Sequence, residues 1–432
     1  MPNDDLLKLY FQYVADTEPP LQFHRWSLIS CVGALLGRNF YLPFGAGKII
    51  PNSYVMLVGN PGTRKSSAIK SAKKLLARAG YSNFSAEKTT KEKFLLDLEG
   101  LPEEPYDSRT YSRTRRAETT TAEDVLRNLD LAGDGAVLDR TPREVFIVAD
   151  EFNEFTGSGN LDFFSLLGSL WDWDDEHSMY SYRLKNSKSL AIYQPTISIL
   201  GGNTHTSIQS GFPSQADGQG FMSRLLFIHG EPSGRKVTFP KQPSEELADR
   251  ICKLISEIKT EISGPAKLAP SAERALDAIY RSWREIDDYR FANYSTRRFT
   301  HLLKLVMVCA AMRKSCVLDM QDVVLANTLL THAEHSMPKA LGEFGKSRNS
   351  DAAQAVMSKL YDSKRPMKFE ELWKVVSRDL EKREQLADIL SSLQTAGKLQ
   401  ALKDGQGFLP MQKPVASKEA LYVDLNLLSE YK

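Results

Sequence analysis

The chain has 432 residues, with 56 basic against 54 acidic side chains and a formal charge of +2. That balance excludes a globally basic nucleic-acid binder and confines any such contact to local patches or loops. The length suits about three domains, and the composition is that of an ordinary soluble globular protein.

Four scattered cysteines, Cys31, Cys252, Cys309 and Cys316, form no C-x-x-C pair. They read as buried thiols in a reducing compartment and argue against a zinc site. His332 and His335 flank Glu334 in a helical stretch with no further ligand near, and read as a solvated helix face. The acidic start, Met1-Pro2-Asn3-Asp4-Asp5, lacks the order of a signal peptide. The most apolar run, 302–312, contains Lys304 and falls short of the roughly 20 residues that span a bilayer. No membrane segment is expected.

Residues 5–15 and 22–37 show helical periodicity and make an N-terminal helical lead-in, 1–49, which ends in a short extended piece at 40–44. The apolar run 54–58 then reads as a buried strand. It leads into Gly59-Asn60-Pro61-Gly62-Thr63-Arg64-Lys65-Ser66-Ser67. A loop of this spacing turns successive backbone N–H groups inward at a helix N-terminus and makes an anion cradle. Lys65 is placed to reach the β- and γ-phosphates of ATP, and Ser66 to bind Mg2+. Arg64 stands where a glycine ordinarily precedes the lysine, and is expected to take helical backbone. The competing reading is a Gly-Pro turn that happens to carry a lysine.

Residues 66–79 are the helix after the loop, with Gly80 as its stop, and 83–86 a second strand. The polar stretch 102–120, with Arg109, Arg113, Arg115 and Arg116, reads as a solvated, mobile insertion in preference to a nucleic-acid contact. A helix is expected over 121–131 and a strand over 143–149. That strand ends in Asp150-Glu151, which puts two acids at the C-terminal edge where parallel sheets bind ligands. Asp150 suits the Mg2+ ion and Glu151 the activation of attacking water.

Residues 152–195 exceed what one connecting helix needs. They read as a helix over 161–171 and a β-hairpin, 179–184 with 189–193, whose tip carries Lys185 and Lys188 with Arg183 nearby. The strand 196–200 runs into Gly201-Gly202-Asn203. Asn203 either holds the lytic water, senses the γ-phosphate, or is a turn asparagine. Phe221-Met222-Ser223-Arg224 precedes the strand 225–228. An arginine at the start of a core strand is badly placed for its own loop but can enter a neighbouring subunit's site.

A lysine- and proline-punctuated boundary at 235–243 is followed by amphipathic stretches at 244–262, 270–291, 296–314 and 320–340, a helical subdomain. After a polar linker near 345–350 come three short helices, 352–362, 369–378 and 382–396, and two strands, 398–402 and 408–409. This last unit resembles a winged helix. The third helix keeps Leu386, Ile389, Leu390 and Leu393 inward and Lys382, Arg383 and Gln385 outward. Winged helices bind DNA or protein, so the fold alone does not decide.

The order phosphate loop, Asp-Glu strand, strand-Asn and Ser-Arg before an apolar strand resembles an AAA+ ATPase. With Arg297-Arg298-Phe299-Thr300-His301-Leu302-Leu303-Lys304-Leu305, it resembles the MCM-like branch, which includes replicative helicases of phages and mobile genetic elements. The resemblance covers 50–310. It implies an α/β fold with an AAA+ P-loop core around a parallel sheet (50–238, with the hairpin insertion), a helical lid (239–345), a C-terminal winged helix (350–412) and a tail (413–432). Lys65 and Ser66 match Walker A, Asp150 and Glu151 Walker B, and Asn203 sensor 1. Arg224 matches the arginine finger, and Arg297, or alternatively Arg298, sensor 2.

The family projects a similar hairpin into its ring channel, which makes Arg183, Lys185 and Lys188 candidates for gripping DNA phosphates. The expected protein is a hexameric DNA helicase or translocase acting in replication, with ATP and Mg2+ as cofactors. Its expected partners are single-stranded or forked DNA and a primase, polymerase or single-strand-binding protein, in the cytoplasm of a bacterial host if phage-encoded. The rivals are an initiator or helicase loader that remodels DNA without processive unwinding, and a nucleotide-gated binding scaffold.

Overall fold

The computed structural model describes residues 5–100, 140–174, 179–182, 190–212, 220–283, 286, 288–342, 348–363, 365–378, 380, 382–395, 399–402, 407–411 and 420–429. The expected polar stretch 102–120, the helix over 121–131 and the hairpin tip with Arg183, Lys185 and Lys188 lie outside them.

Helix α1 (Leu6–Tyr13) starts where the Asp5 carboxylate accepts from the Leu7 and Lys8 N–H groups, which satisfies two of the donors a helix start leaves open. Helix α2 (Leu21–Leu36) follows Pro20, whose φ of −56° presets the entry. It is buried along nearly its whole length, and it packs against the sheet and the helix after the phosphate loop. The hairpin β1 (Phe40–Phe44) and β2 (Gly47–Ile49) then leads to the central strand β3 (Tyr54–Val58), whose five residues are all buried.

Helices α3 (Lys65–Arg78) and α4 (Lys91–Glu99) precede β4 (Glu144–Ala149), and α5 (Phe152–Thr156) and α6 (Leu161–Ser169) follow it. Next come the short antiparallel pair β5 (Tyr180–Tyr182) and β6 (Leu190–Ile192), then β7 (Thr196–Asn203), α7 (His205–Gly211) and β8 (Leu225–His229). The central sheet has four parallel strands in the order β4-β7-β3-β8. Its strands read as continuous apolar runs because layers cover both faces.

The expected strand over 83–86 shrinks to one parallel bridge, Phe84 to Phe146, beside β4. There the Phe84 N–H turns back to the Ser82 carbonyl at 2.8 Å, so the segment bends before a ladder can extend. In contrast, β7 runs past its expected end and takes in Asn203. Gly201 and Gly202 permit this, since a Cβ at Gly202 would lie 2.5 Å from the Asp150 carbonyl oxygen and one at Gly201 2.8 Å from the Met56 side chain.

Four helices follow: α8 (Glu245–Glu261), α9 (Pro270–Ser282), α10 (Arg298–Met312) and α11 (Met320–Leu341). The second amphipathic stretch, 270–291, breaks at Trp283, whose ψ of 140° leaves the helical range, and resumes as a 3-10 turn at Tyr289–Phe291. One hydrophobic cluster joins α1, α2, the sheet and these helices. A second, separate cluster holds α12 (Arg348–Ser363), α13 (Phe369–Val376), α14 (Arg383–Thr395) and the antiparallel strands β9 (Leu399–Ala401) and β10 (Phe408–Pro410). Downstream, the chain returns to α11, where Asn327 Nδ2 donates to the Leu421 carbonyl at 2.8 Å and the Asp424 N–H donates to Thr328 Oγ1 at 2.9 Å.

Among the described residues no helix is long and apolar enough to cross a membrane. Three cysteines are buried as expected, but Cys316 is half-buried because it follows the turn with exposed Lys314. His332 and His335 are exposed, while Glu334 between them is buried.

Two buried rings make the fold acid-sensitive. Burial lowers the His24 pKa to about 4 and the His301 pKa to about 3. The unfolded chain protonates both below about pH 6.5, so the native state binds fewer protons and loses stability as pH falls from there towards 4. Each ring is expected to withdraw about 1.4 kcal/mol per pH unit over that window. Denaturant midpoints across it test this. His24→Asn and His301→Asn should each flatten the slope, and a slope unchanged by both would contradict it.

Candidate functional site

Strand β3 delivers the chain into the loop at Gly59, where a Cβ would lie 2.5 Å from the Gly230 carbonyl oxygen, so only glycine fits between the two strand exits. Gly62 has φ +86° and open space where a side chain would be, as a loop closing round an anion requires. The Thr63 N–H and hydroxyl both donate to the Asn60 carbonyl, at 3.2 and 2.9 Å. Asn60, Pro61 and Gly62 stay exposed at the rim, while Ser66 is half-buried and Ser67 exposed on the first turn of α3.

Arg64 departs from expectation. It is left-handed, φ 62° and ψ 31°, and stands just before α3 instead of within its first turn. The loop needs here the backbone that glycine adopts freely, and an arginine held there carries roughly 1–2 kcal/mol of strain. Its side chain points away from the helix and pairs with Glu18 at 2.7 Å. Glu18 also accepts from the Val237 N–H at 3.1 Å, and these two bonds hold its carboxyl below the usual range.

Lys65 is 7% exposed and folds over the loop, with Nζ donating to the Gly59 carbonyl at 2.9 Å and reaching the Asn60 carbonyl and Thr63 hydroxyl at 3.4 Å. Burial lowers its pKa, and the neighbouring Glu151 works against that shift. Glu151 in turn is pushed up by burial, with Lys65 opposing and Glu154 and Asp150 adding. The loop lysine and the second acid of the Asp-Glu pair therefore share one electrostatic environment.

The register of β4 on β7 pairs Ala149 with Gly201, which puts Asp150 beside Gly202 and brings Glu151 to the level of Asn203. Asn203 faces Val58 on β3, and its carbonyl accepts from the Gly59 N–H at 3.4 Å. All four predicted groups, Lys65, Asp150, Glu151 and Asn203, thus converge on the C-terminal edge of the sheet. Asp150 pairs with Lys70 at 2.9 Å. Lys70 lies four residues after Ser66, on the same face of α3, and that spacing was readable in the sequence.

The donor chemistry fits Mg2+ with a nucleotide: a hydroxyl, Ser66, and a carboxylate, Asp150, are hard oxygen ligands of the number that ion takes from protein when phosphates complete its shell. The described residues contain no cluster of three or more His, Cys, Asp or Glu side chains that could hold a metal by themselves.

Two expected arginines lie elsewhere. Tyr54 pairs with Leu225, so Arg224 sits beyond the N-terminal edge of the sheet, about 20 Å of strand from Gly59. It donates to the Gly220 carbonyl at 2.7 Å, covers the Trp171 ring at 5.9 Å, and keeps a buried Nε with no partner among the described residues. Arg297 joins it there, donating to Ser223 Oγ at 2.9 Å. Burial and the nearby Arg297 both lower the Arg224 pKa.

Arg298, the alternative to Arg297, is held inside the helical layer. It is 3% exposed, donates to both Glu334 oxygens at 2.7 and 3.1 Å and to Asn327 at 2.9 Å, and covers the Trp283 ring. Its position one residue into α10 turns it inward, against α11.

The hairpin stem β5–β6 is anchored to α4, with the Ala191 N–H donating to Glu99 at 2.9 Å and Lys91 over the Tyr182 ring at 5.4 Å. Sequence reasoning missed Asn153, which accepts from Asn203 Nδ2 at 3.4 Å. It also missed Lys304, buried against Asn52, Asp172 and the Trp171 ring, with its pKa lowered to about 8 by burial. In comparisons with known proteins, no family model matches the chain and no curated protein matches it.

Proposed function

We propose that the protein is an ATP-driven motor of the AAA+ type that moves along DNA as a ring. The observation that carries this reading is the split between the two sheet edges. Lys65, Ser66, Asp150, Glu151 and Asn203 share one edge, and Arg224 and Arg297 share the other. A heterologous, head-to-tail contact would bring the arginine edge of one copy to the nucleotide edge of the next, and such contacts form a ring where the rotation between copies closes.

The chemistry follows from the acids and the loop. ATP would lie across the first turn of α3, with its β- and γ-phosphates at Lys65. Mg2+, held by the Ser66 hydroxyl and the Asp150 carboxylate, would neutralise phosphate charge. Glu151 takes a proton from water as the water oxygen bonds to the γ-phosphorus, and the bond to the β-phosphate oxygen breaks to leave ADP and phosphate. Burial raises the Glu151 carboxyl, which strengthens it as a proton acceptor.

The DNA reading draws on the basic residues Arg183, Lys185 and Lys188 at the tip of the hairpin and on a C-terminal unit whose three helices and two strands match a winged helix in order. Phosphate contacts of this kind weaken with salt. The test is ATP hydrolysis with and without single-stranded DNA, followed by strand displacement on a forked substrate. Stimulated hydrolysis with displacement is the expected result. Stimulation without displacement would favour a loader or initiator, and hydrolysis indifferent to DNA would overturn the DNA reading.

A further inference from the structure

Two asparagine amides meet behind the nucleotide edge, and their orientation is not arbitrary. Asn153, on α5 two residues after Glu151, donates through Nδ2 to the Ser207 carbonyl on α7. A backbone carbonyl only accepts, so that bond fixes which end of the Asn153 amide faces α7. Its Oδ1 then faces the other way and accepts from Asn203 Nδ2 at 3.4 Å. One of the two Asn203 Nδ2 N–H groups is engaged in this way, and its Oδ1 is left buried without a partner among the described residues.

The surroundings lock this arrangement. Asn203 is 0% exposed, so bulk water cannot satisfy the orphaned oxygen. A Cβ at Gly211 would lie 1.9 Å from Asn153 Nδ2, so the amide packs against the last turn of α7. Thr204 caps that helix by accepting from the Ser207 N–H at 3.0 Å, which fixes the start of α7 and with it the Ser207 carbonyl.

We propose that Asn153 is a positioning residue: by engaging Asn203 Nδ2 it leaves Asn203 Oδ1 as the acceptor for the attacking water. This rests on the ATPase reading above and decides what Asn203 does within it. Phosphate oxygens are acceptors and cannot satisfy the orphaned Oδ1 of Asn203. An attacking water is a donor, and one of its O–H groups satisfies the buried Oδ1 while the other faces Glu151. Through Ser207, the placement of α7 sets the polarity of the amide that meets the water.

The test measures kcat and the affinities for ATP and ADP in Asn153→Leu, Asn153→Ala, Asn203→Ala and the Asn153→Leu/Asn203→Ala double variant, with Glu151→Gln alongside. Turnover should fall roughly 100-fold in each Asn variant, the lower end of the loss for one hydrogen bond to a reacting group. The double variant should be no slower than Asn203→Ala, because both act through one amide. ADP affinity equal to wild type verifies an intact site, and Asn153→Ala carries the argument if leucine does not fit.

A selective loss of ATP over ADP affinity in Asn203→Ala would show a donor to the γ-phosphate and overturn the proposal. Wild-type turnover in both Asn153 variants, or losses that multiply in the double variant, would also overturn it. Wild-type turnover in Glu151→Gln would instead overturn the ATPase reading itself.

Discussion

Arg224→Ala is expected to bind ATP normally and to hydrolyse it about 1,000-fold or more slowly, the scale of an arginine that reaches a transferring phosphoryl group from a neighbouring subunit. The edge on which it sits carries the argument. Its strand runs parallel to β3 in register, so no side-chain rotation brings it to Lys65 of the same chain. The desolvated guanidinium with its unpartnered Nε, crowded by Arg297, is a donor awaiting an anion. Lys65→Ala should be equally inactive, but for want of ATP binding.

The two defects should complement one another. In a ring mixed equally from both variants, about one interface in four pairs an intact Lys65 with an intact Arg224 from the next subunit, if contacts run head to tail. Hydrolysis should therefore reappear on mixing two inactive preparations, after subunits exchange. A mixture as silent as its parts would show that no site is shared between subunits, and wild-type turnover in Arg224→Ala would show that the arginine edge serves no nucleotide.

The residues that build the nucleotide edge were legible in the sequence because each has a local signature. Tyr54–Val58 is an unbroken apolar run ending in glycine, and Glu144–Ala149 is another ending in two acids. Hydrophobic period and turn chemistry act over a few residues, and a sequence displays them directly. Strand order is a property of distant pairings. Nothing local says that β7 lies between β4 and β3, although that interposition is what sets Asn203 beside both Gly59 and the acid pair.

The choice between Arg297 and Arg298 was hidden for the same reason, since it depends on Glu334, 36 residues further on. The backbone of Arg64 was misjudged because its identity outweighed its position. The loop requires a left-handed residue before the lysine whatever its side chain, and the Glu18 partner for that side chain comes from 46 residues upstream. Asn153 was overlooked because an asparagine after an Asp-Glu pair has no meaning until α7 is packed against it.

Glu334→Ala is expected to cost about 3–5 kcal/mol, the largest stability loss of any single change considered. Glu334 is 7% exposed and accepts from Arg298 at 2.7 and 3.1 Å and from the Tyr294 hydroxyl at 2.7 Å. Burial raises its pKa even against the opposing guanidinium, so the pair survives on geometry and not on a surplus of attraction. Removing the acid strands a buried guanidinium, while Arg298→Met with Glu334→Leu should recover most of the loss because neither charge remains to be desolvated.

On the proposed ATPase reading, turnover depends on the same lock. Successive residues on a helix are about 100° apart, so pinning Arg298 inward against α11 rotates Arg297 towards Ser223 and the Arg224 edge. The double variant should thus be stable and still slow in ATP hydrolysis, with Arg297 no longer held in phase. Denaturant midpoints and turnover measured on the same preparations separate the two effects. A Glu334→Ala cost below about 1 kcal/mol, the range of a solvated surface pair, would mean that this ion pair is not what sets the phase of α10.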